Sequence, residues 1–125
     1  MANAGDWDGA FAQYRPDAEY RDLQHGPDMP EVLHGVSAIG RVAAQWMEVY
    51  DEFRVEIYEY VDADPWVVCD ARWYGRGKDS SVPVDVRVAD AYELEDGKIA
   101  RAVMGYPDVE SALRGVGAAR AGPPR

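Results

Sequence analysis

Two carboxyl groups in this sequence occupy positions that suggest chemistry. Valine recurs at every second position from 82 to 88, and the same alternation places Asp90 on the apolar face of that predicted strand. Burying a carboxyl group costs free energy unless the group is paired, hydrogen-bonded or protonated. The second group is Asp22, which stands at the end of a short strand predicted over residues 18–23. A raised pKa at either residue would favour proton-transfer chemistry over simple binding.

Each of these residues also has a purely structural interpretation. Asp90 could form an ion pair with Arg72 or Arg101. Asp22 could cap the loop that follows it by forming an Asx turn. That loop contains both histidines of the chain, but two histidines without a placed carboxylate are a weak signal for a metal site. The residues alone therefore leave the structural and the chemical roles open.

The elements that position these residues begin with a helix and a strand. Apolar residues recur at helical spacing near the start of the chain, and Pro16 ends that helix because the residue before a proline is pushed towards extended conformations. The members of this apolar stripe are Trp7, Ala10, Phe11 and Tyr14. The strand over 18–23 follows, and glycine and proline predict a loop over residues 24–34.

The remainder of the chain predicts a long helix, four strands and a short terminal helix. The long helix spans about 36–51, where apolar residues recur at offsets of three and four. From Phe53 the period changes to two, with connections at 62–65, 75–81 and 95–98, and a helix over 109–116 ends the pattern. Strands joined by short turns are most simply antiparallel, and helices gathered on one side of them give an α+β fold.

Length and charge limit the classes of function. The 125 residues suffice for one domain, which we expect to span residues 1–114 and to be followed by a disordered tail over 115–125. The net charge of −10 argues against binding to nucleic acid or to anionic membranes. There is no signal-peptide core and no run of membrane-spanning length, so we expect a cytoplasmic protein. The single cysteine, Cys69, is expected to be a small buried hydrophobe.

Several of these features together resemble a known superfamily. Asn3 opens the sequence N-A-G-D, Tyr14 stands two residues before P-D-A, an acidic residue ends the first strand, and the turn E-D-G-K follows Leu94. This pattern is similar to the SnoaL-like and ketosteroid-isomerase-like families of the nuclear-transport-factor-two-like superfamily, over roughly nine-tenths of the chain. The resemblance implies a strongly bent sheet that wraps around the helices and forms a cone with an inward pocket.

The resemblance also implies roles for the two acids. Asp22 matches the general base of the steroid isomerases, and Asp90 matches their neutral, hydrogen-bond-donating acid. A carboxylate can take a proton from carbon beside a carbonyl group, while a neutral acid stabilises the enolate oxygen that develops. The residues expected to line the pocket and bind substrate are Tyr14, His25, Val42, Trp46, Tyr92, Met104 and Tyr106. No metal or organic cofactor is expected.

One element of the isomerase pattern is not matched. The isomerases carry an oxyanion-binding tyrosine on a helix before the segment that begins at Asn3, and no counterpart precedes that segment here. We therefore expect Trp7 and Phe11 to be exposed, or to be covered by a partner chain or by the loop over 24–34.

Three interpretations of function follow from the sequence. The leading one is a small enzyme that transfers protons on an apolar, cyclic carbonyl or polyketide-like compound, with Asp22 as base and Asp90 as acid or orienting group. The alternatives are a non-catalytic ligand-binding module and a dimerisation domain with a filled cone. We also expect a homodimer through the outer face of the sheet, which carries an apolar set. Its members are Trp73, Ala89, Ala91 and Val103.

Overall fold

The computed structural model describes residues 13–23, 31–77 and 83–119, which form a sheet and two helices. The elements are β1 (Tyr14–Asp22), β2 (Val32–His34), α1 (Val36–Val49), β3 (Tyr50–Ala63), β4 (Trp66–Gly77), β5 (Pro83–Glu95), β6 (Lys98–Tyr106) and α2 (Val109–Val116). The six strands lie in the order β2-β1-β6-β5-β4-β3. β1 runs parallel to β6, and the other neighbouring pairs are antiparallel. The predicted α+β class is confirmed.

The first strand begins earlier than predicted. Most of the predicted first helix lies outside the described residues, but its last member, Tyr14, is the first residue of β1 and pairs with Ile99 of β6. Pro16 is tolerated inside this strand because it lies within a register shift of the β1–β6 pair, where no ladder hydrogen bond is required of it. The prediction of Tyr14 in a helix was therefore wrong.

Part of the predicted 24–34 loop is a strand. Residues 24–30 lie outside the described part of the chain, whereas β2 pairs with β1 and holds its end in place. Gly35 follows with a φ of 89°, a left-handed conformation that favours glycine, and its N–H donates to the carbonyl oxygen of Ala18 at 2.8 Å. α1 then begins at Val36, as predicted, but ends two residues early because Tyr50 already belongs to β3.

Register shifts in the sheet exchange the faces of alternating residues. On β3 a shift between Ile57 and Glu59 leaves Ile57 on one face and turns Val61 to the other, although the period of two predicted from Phe53 onwards would place both on one face. On β6 a second shift inserts one extra residue near Gly105, whose φ is 95°. Tyr106 consequently points away from Met104, and the prediction that Tyr106 lines the same pocket as Met104 was wrong.

Two apolar clusters lie on opposite faces of the sheet, each beneath one helix. The α1 cluster contains Ala18, Tyr20, Ile39, Cys69, Tyr92, Ile99, Ala102 and Met104. The α2 cluster contains Val61, Ala63, Trp66, Val68, Ala89, Ala91, Ala112 and Leu113. The expectation that both helices gather on one side of the sheet was therefore wrong. Small side chains on the second face allow the short α2 to pack closely against the strands.

The position of α2 changes the basis for the expected homodimer. Ala89 and Ala91 are completely buried in the α2 cluster, and Trp73 packs against the α1 cluster on the other face. These three residues do not form an exposed apolar surface, so the homodimer stays a prediction without that support. α2 also extends to Val116, past the expected domain boundary at 114, and Gly117 ends it in a left-handed conformation. Neither helix in the described ranges is long and apolar enough to cross a membrane.

The contact between α2 and Tyr106 gives a test of this packing. A Cβ atom built on Gly115 would lie 2.4 Å from the Tyr106 hydroxyl oxygen. We expect Gly115→Ala to lower the free energy of unfolding by about 1–3 kcal/mol, although alanine normally favours helices. In a Tyr106→Ala background the same change should instead raise it by up to ~1 kcal/mol. Urea denaturation of the four proteins measures this, and an equal effect in both backgrounds would contradict the placement of Tyr106.

Candidate functional site

The register of β5 places Asp90 inside the protein. Val88, Asp90 and Tyr92 are buried, whereas Asp85 and Arg87 between the valines are exposed. This confirms the predicted alternation over residues 85–92, whereas Leu94, beyond a register shift, is 40% exposed. Val82 and the side chain of Val84 lie outside that part. Asp90 is only 1% exposed, so its carboxyl group is removed from water.

Two hydrogen bonds hold the Asp90 carboxyl group. The indole Nε1–H of Trp73 donates to Oδ2 at 2.7 Å, and the backbone N–H of Gly105 donates to Oδ1 at 2.9 Å. Gly105 lies in the irregularity of β6, where its amide hydrogen meets a side chain instead of a strand carbonyl. Each carboxyl oxygen therefore has a donor from a neighbouring strand, and the orientation of the group is fixed by both.

The proposed ion pairs of Asp90 are not formed. Arg72 binds Asp85 with two hydrogen bonds of 2.8 Å, on the opposite face of the sheet. Arg101 binds Glu93 in the same way, at 2.8 and 3.0 Å. The two arginines that could have neutralised Asp90 therefore interact with other carboxylates instead. Asp90 remains a buried acid whose neighbours in the described structure are donors and apolar groups.

Burial controls the protonation of Asp90. The pKa of Asp90 is raised from 3.8 to about 6, mainly by the loss of water on burial and to a smaller extent by the negative charge of Asp22. The hydrogen bonds from Trp73 and Gly105 favour the carboxylate and act in the opposite direction. The result is an acid that exchanges its proton close to neutral pH, where a general acid or base is most effective.

Asp22 is placed at the end of β1 by backbone contacts on both sides. Its N–H donates to the carbonyl oxygen of Glu31, and the next N–H, from Leu23, donates to that of Met104, both at 2.9 Å. The side chain of Asp22 is half-buried and alternates with Ala18 and Tyr20, which places it on the α1 face. This is the same face as Asp90.

The strand register gives the spacing of the two acids. Asp22 of β1 is aligned with Met104 of β6, and Asp90 of β5 lies opposite Met104 and Gly105 across the next strand boundary. Two strand spacings separate Asp22 from Asp90, which corresponds to about 10 Å between their Cα atoms. Met104 lies between them, 5% exposed. The structure therefore brings together both acids predicted from sequence, with an apolar side chain between them.

Tyrosines surround this pair of acids. Burial and the charge of Asp90 raise the pKa of Tyr14, of Tyr20 and of Tyr92, so all three keep their hydroxyl proton. Cys69 is aligned with Asp90 on the neighbouring strand, and the same two effects raise the pKa of its thiol to about 12. The expectation that Cys69 is a small buried side chain, and not a reactive thiol, agrees with this environment.

The other predicted binding residues have different outcomes. Tyr14, Tyr92 and Met104 contact or belong to the α1 cluster, and Val42 is half-buried on α1. Tyr106 packs in the α2 cluster and is separated from the acids by the sheet. His25 and the side chain of Trp46 lie outside the described part of the chain.

Sequence reasoning missed two residues of this site, Tyr20 and Trp73. Tyr20 is two residues before Asp22, and their shared strand face could have identified it. Trp73 continues the alternation of Cys69 and Ala71, which places it on the α1 face. Among residues 13–23, 31–77 and 83–119, no three His, Cys, Asp or Glu side chains are grouped in a way that could hold a metal ion.

Comparison with known proteins identifies relatives of this fold. Residues 1–102 match the family model described as the SnoaL-like domain. A protein from Catenulispora acidiphila with a ketosteroid isomerase-like fold, solved with trimethylamine, is similar with a TM-score of 0.73 and 19% identity, over 92% of this chain and 85% of that one. A candidate SnoaL-like polyketide cyclase from Mesorhizobium loti is similar with a TM-score of 0.66 and 23% identity, over 83% of this chain and 88% of that one.

A third similar structure is named as a candidate isomerase. It comes from Bacillus subtilis and has a TM-score of 0.69 and 16% identity, over 90% of this chain and 81% of that one. At these identities the similarity establishes the fold alone, which is a curved sheet with the cone shape that the family resemblance implies. A sequence search among curated proteins finds no match.

The raised pKa of Asp90 predicts how stability depends on pH. Between pH 4 and pH 6 the folded state binds the Asp90 proton more tightly than the unfolded state, so stability from this group is lost as pH rises. A pKa of about 6 in place of 3.8 corresponds to ~3 kcal/mol. The free energy of unfolding of the wild type, minus that of Asp90→Asn, should fall by about this amount from pH ~4 to pH ~7.

Chemical denaturation across this pH range measures the difference. Asp96→Asn is the matched control, because Asp96 is exposed in the β5–β6 turn and asparagine tolerates its φ of 53°. The free energy of unfolding of the wild type, minus that of this control, should not change with pH. If the corresponding value for Asp90→Asn is also independent of pH, the pKa of Asp90 is not raised in the folded protein.

Proposed function

The chain belongs to the SnoaL-like domain family, and on this basis we propose that it is a small-molecule enzyme of the isomerase or cyclase type. The reaction is proton transfer on an apolar, cyclic carbonyl or polyketide-like compound. The observation that carries the proposal is the buried carboxyl group of Asp90, whose pKa is raised to about 6 on the same sheet face as Asp22. Strongly perturbed acids of this kind concentrate at active sites.

The two acids divide the work in this proposal. Asp22, at the half-buried end of β1, removes a proton from carbon beside the substrate carbonyl. Asp90 in its protonated form donates a hydrogen bond to the oxygen on which negative charge develops. When Asp22 accepts the proton, its negative charge disappears, and with it one of the influences that raise the pKa of Asp90. Asp90 thus becomes a stronger donor as the enolate forms.

The surroundings of the acids support an apolar substrate. Ile39 of α1 covers the face that carries Ala102 and Met104, so the groups between the acids are hydrocarbon and thioether. Burial in such surroundings strengthens electrostatic interactions with a developing charge. The names of two similar structures, a candidate polyketide cyclase and a candidate isomerase, are in keeping with this class of chemistry.

Replacement of each acid tests the proposal. Asp22→Asn removes the base and should reduce the rate by at least ~100-fold, whereas Asp90→Asn should reduce it less, because an amide still donates a hydrogen bond. Exchange of carbon-bound hydrogen in D2O, followed by NMR on a panel of apolar cyclic enones and diketones, measures proton transfer without knowledge of the final product. Asp96→Asn is the control and should keep full activity. An Asp22→Asn protein with full exchange activity would leave the ligand-binding interpretation.

The pH dependence of the same exchange separates the roles of the acids. If Asp90 acts in its protonated form, the rate falls as pH rises through about 6, because the group then loses its proton. Asp90→Asn should lack this decline, since asparagine does not titrate. A rate that instead rises through about the same pH, and no longer does so in Asp90→Asn, would make Asp90 the base.

A further inference from the structure

Two phenol hydroxyls on the α1 face are buried and have no hydrogen-bond partner among residues 13–23, 31–77 and 83–119. The side chains of Tyr20 and Tyr92 are 7% and 5% exposed. Within the described part of the chain, neither hydroxyl donates to or accepts from another group. Buried tyrosines normally find a partner for this hydroxyl, because an unsatisfied donor loses its hydration and gains nothing in return. Two such groups in one cluster therefore require a specific explanation.

The sheet register places these two tyrosines on either side of a small residue. Tyr20 of β1 is aligned with Ala102 of β6, which is aligned with Tyr92 of β5. The two tyrosines are thus two strand spacings apart, about 10 Å between Cα atoms. The residue between them, Ala102, has only a methyl side chain. All three residues belong to the α1 cluster.

The same strands carry the acids at the next position on this face. Asp22 follows Tyr20 by two residues on β1, and Asp90 precedes Tyr92 by two residues on β5. The four side chains frame a patch whose floor is Ala102 and Met104. Two corners of this frame are unsatisfied donors, and the other two are acids that can accept or exchange a proton. The two tyrosines and protonated Asp90 can donate to an oxygen, while Asp22 can take a proton from the carbon beside it.

We infer that Tyr20 and Tyr92 act together with protonated Asp90 to bind the carbonyl or enolate oxygen of the ligand, so the site selects compounds with an acceptor oxygen over hydrocarbons of the same shape. This rests on the proposed function for the choice of a carbonyl compound. A hydroxyl that already lacks a partner gains a full hydrogen bond when an oxygen arrives, and the bond is stronger when that oxygen is anionic. A ligand without such an oxygen leaves both donors unsatisfied, which is how a polar site rejects it.

The stability of the free protein gives the first test. If the hydroxyls lack partners, Tyr20→Phe and Tyr92→Phe remove an unfavourable group, and each should raise the midpoint of thermal unfolding by about 4 °C. Tyr60→Phe is the matched control, because Tyr60 is 61% exposed, and its midpoint should not change. A fall in the midpoint for Tyr20→Phe or Tyr92→Phe would show that the protein itself satisfies that hydroxyl, and the inference would be wrong.

Binding of a simple phenolate gives the second test. 4-Nitrophenol places an oxygen with enolate-like charge on a flat ring, and nitrobenzene is the same ring without that oxygen. Calorimetric titration should give saturable binding of 4-nitrophenol that each Phe variant weakens by about 10-fold or more, while nitrobenzene binds weakly to all three proteins. Equal affinity of the wild type and both variants, or no saturable binding by the wild type, would overturn the inference.

This binding test is independent of catalysis. Asp22→Asn without any loss of hydrogen exchange would refute the proposed enzyme but would leave the affinities for 4-nitrophenol unchanged. Conversely, loss of the tyrosine effect with an intact dependence on Asp22 would refute the inference and keep the enzyme. The two failures can therefore be told apart.

Discussion

The removal of one carboxyl group from water is the constraint around which this structure is arranged. Asp90 is held inside an apolar cluster by two donors, the indole of Trp73 and the amide of Gly105. Those hydrogen bonds favour the ionised form, whereas burial opposes it and prevails. The bulge that supplies the Gly105 amide also turns Tyr106 to the other face, so one irregularity of β6 serves both the acid and the packing of α2.

The two faces of the sheet separate hydrocarbon from charge near the candidate site. Arg72 and Arg87 bind Asp85 and Asp70 on the face opposite Asp90, and these pairs are largely exposed. Exposed ion pairs of this kind contribute little to stability, because water and salt screen their charges. Their main effect is on charge placement, because an arginine beside Asp90 would stabilise the carboxylate and lower its pKa. The unneutralised environment of Asp90 follows from this arrangement.

The sequence predicted regular segments well and failed where the sheet is irregular. The start of α1, the alternation along β5 and the burial of Asp90 depend on local periodicity, which the residue pattern contains. Tyr106 was misplaced because one inserted residue reverses the faces of a strand, and no local pattern marks the insertion. Trp73 was assigned to the wrong face although its own strand alternates regularly. The pairing of β1 with β6 depends on contacts between distant parts of the chain.

That pairing has a consequence for the order in which the molecule can assemble. Strands β3 to β6 are neighbours in sequence and in the sheet, whereas β1 joins them only through β6, more than 70 residues later. Contacts of such long separation require a large loop to close, which slows folding. During synthesis from the N-terminus, Asp22 therefore cannot be placed near Asp90 until β6 has been made and has paired with β1. Any activity of this pair belongs to the completed fold and to no earlier fragment.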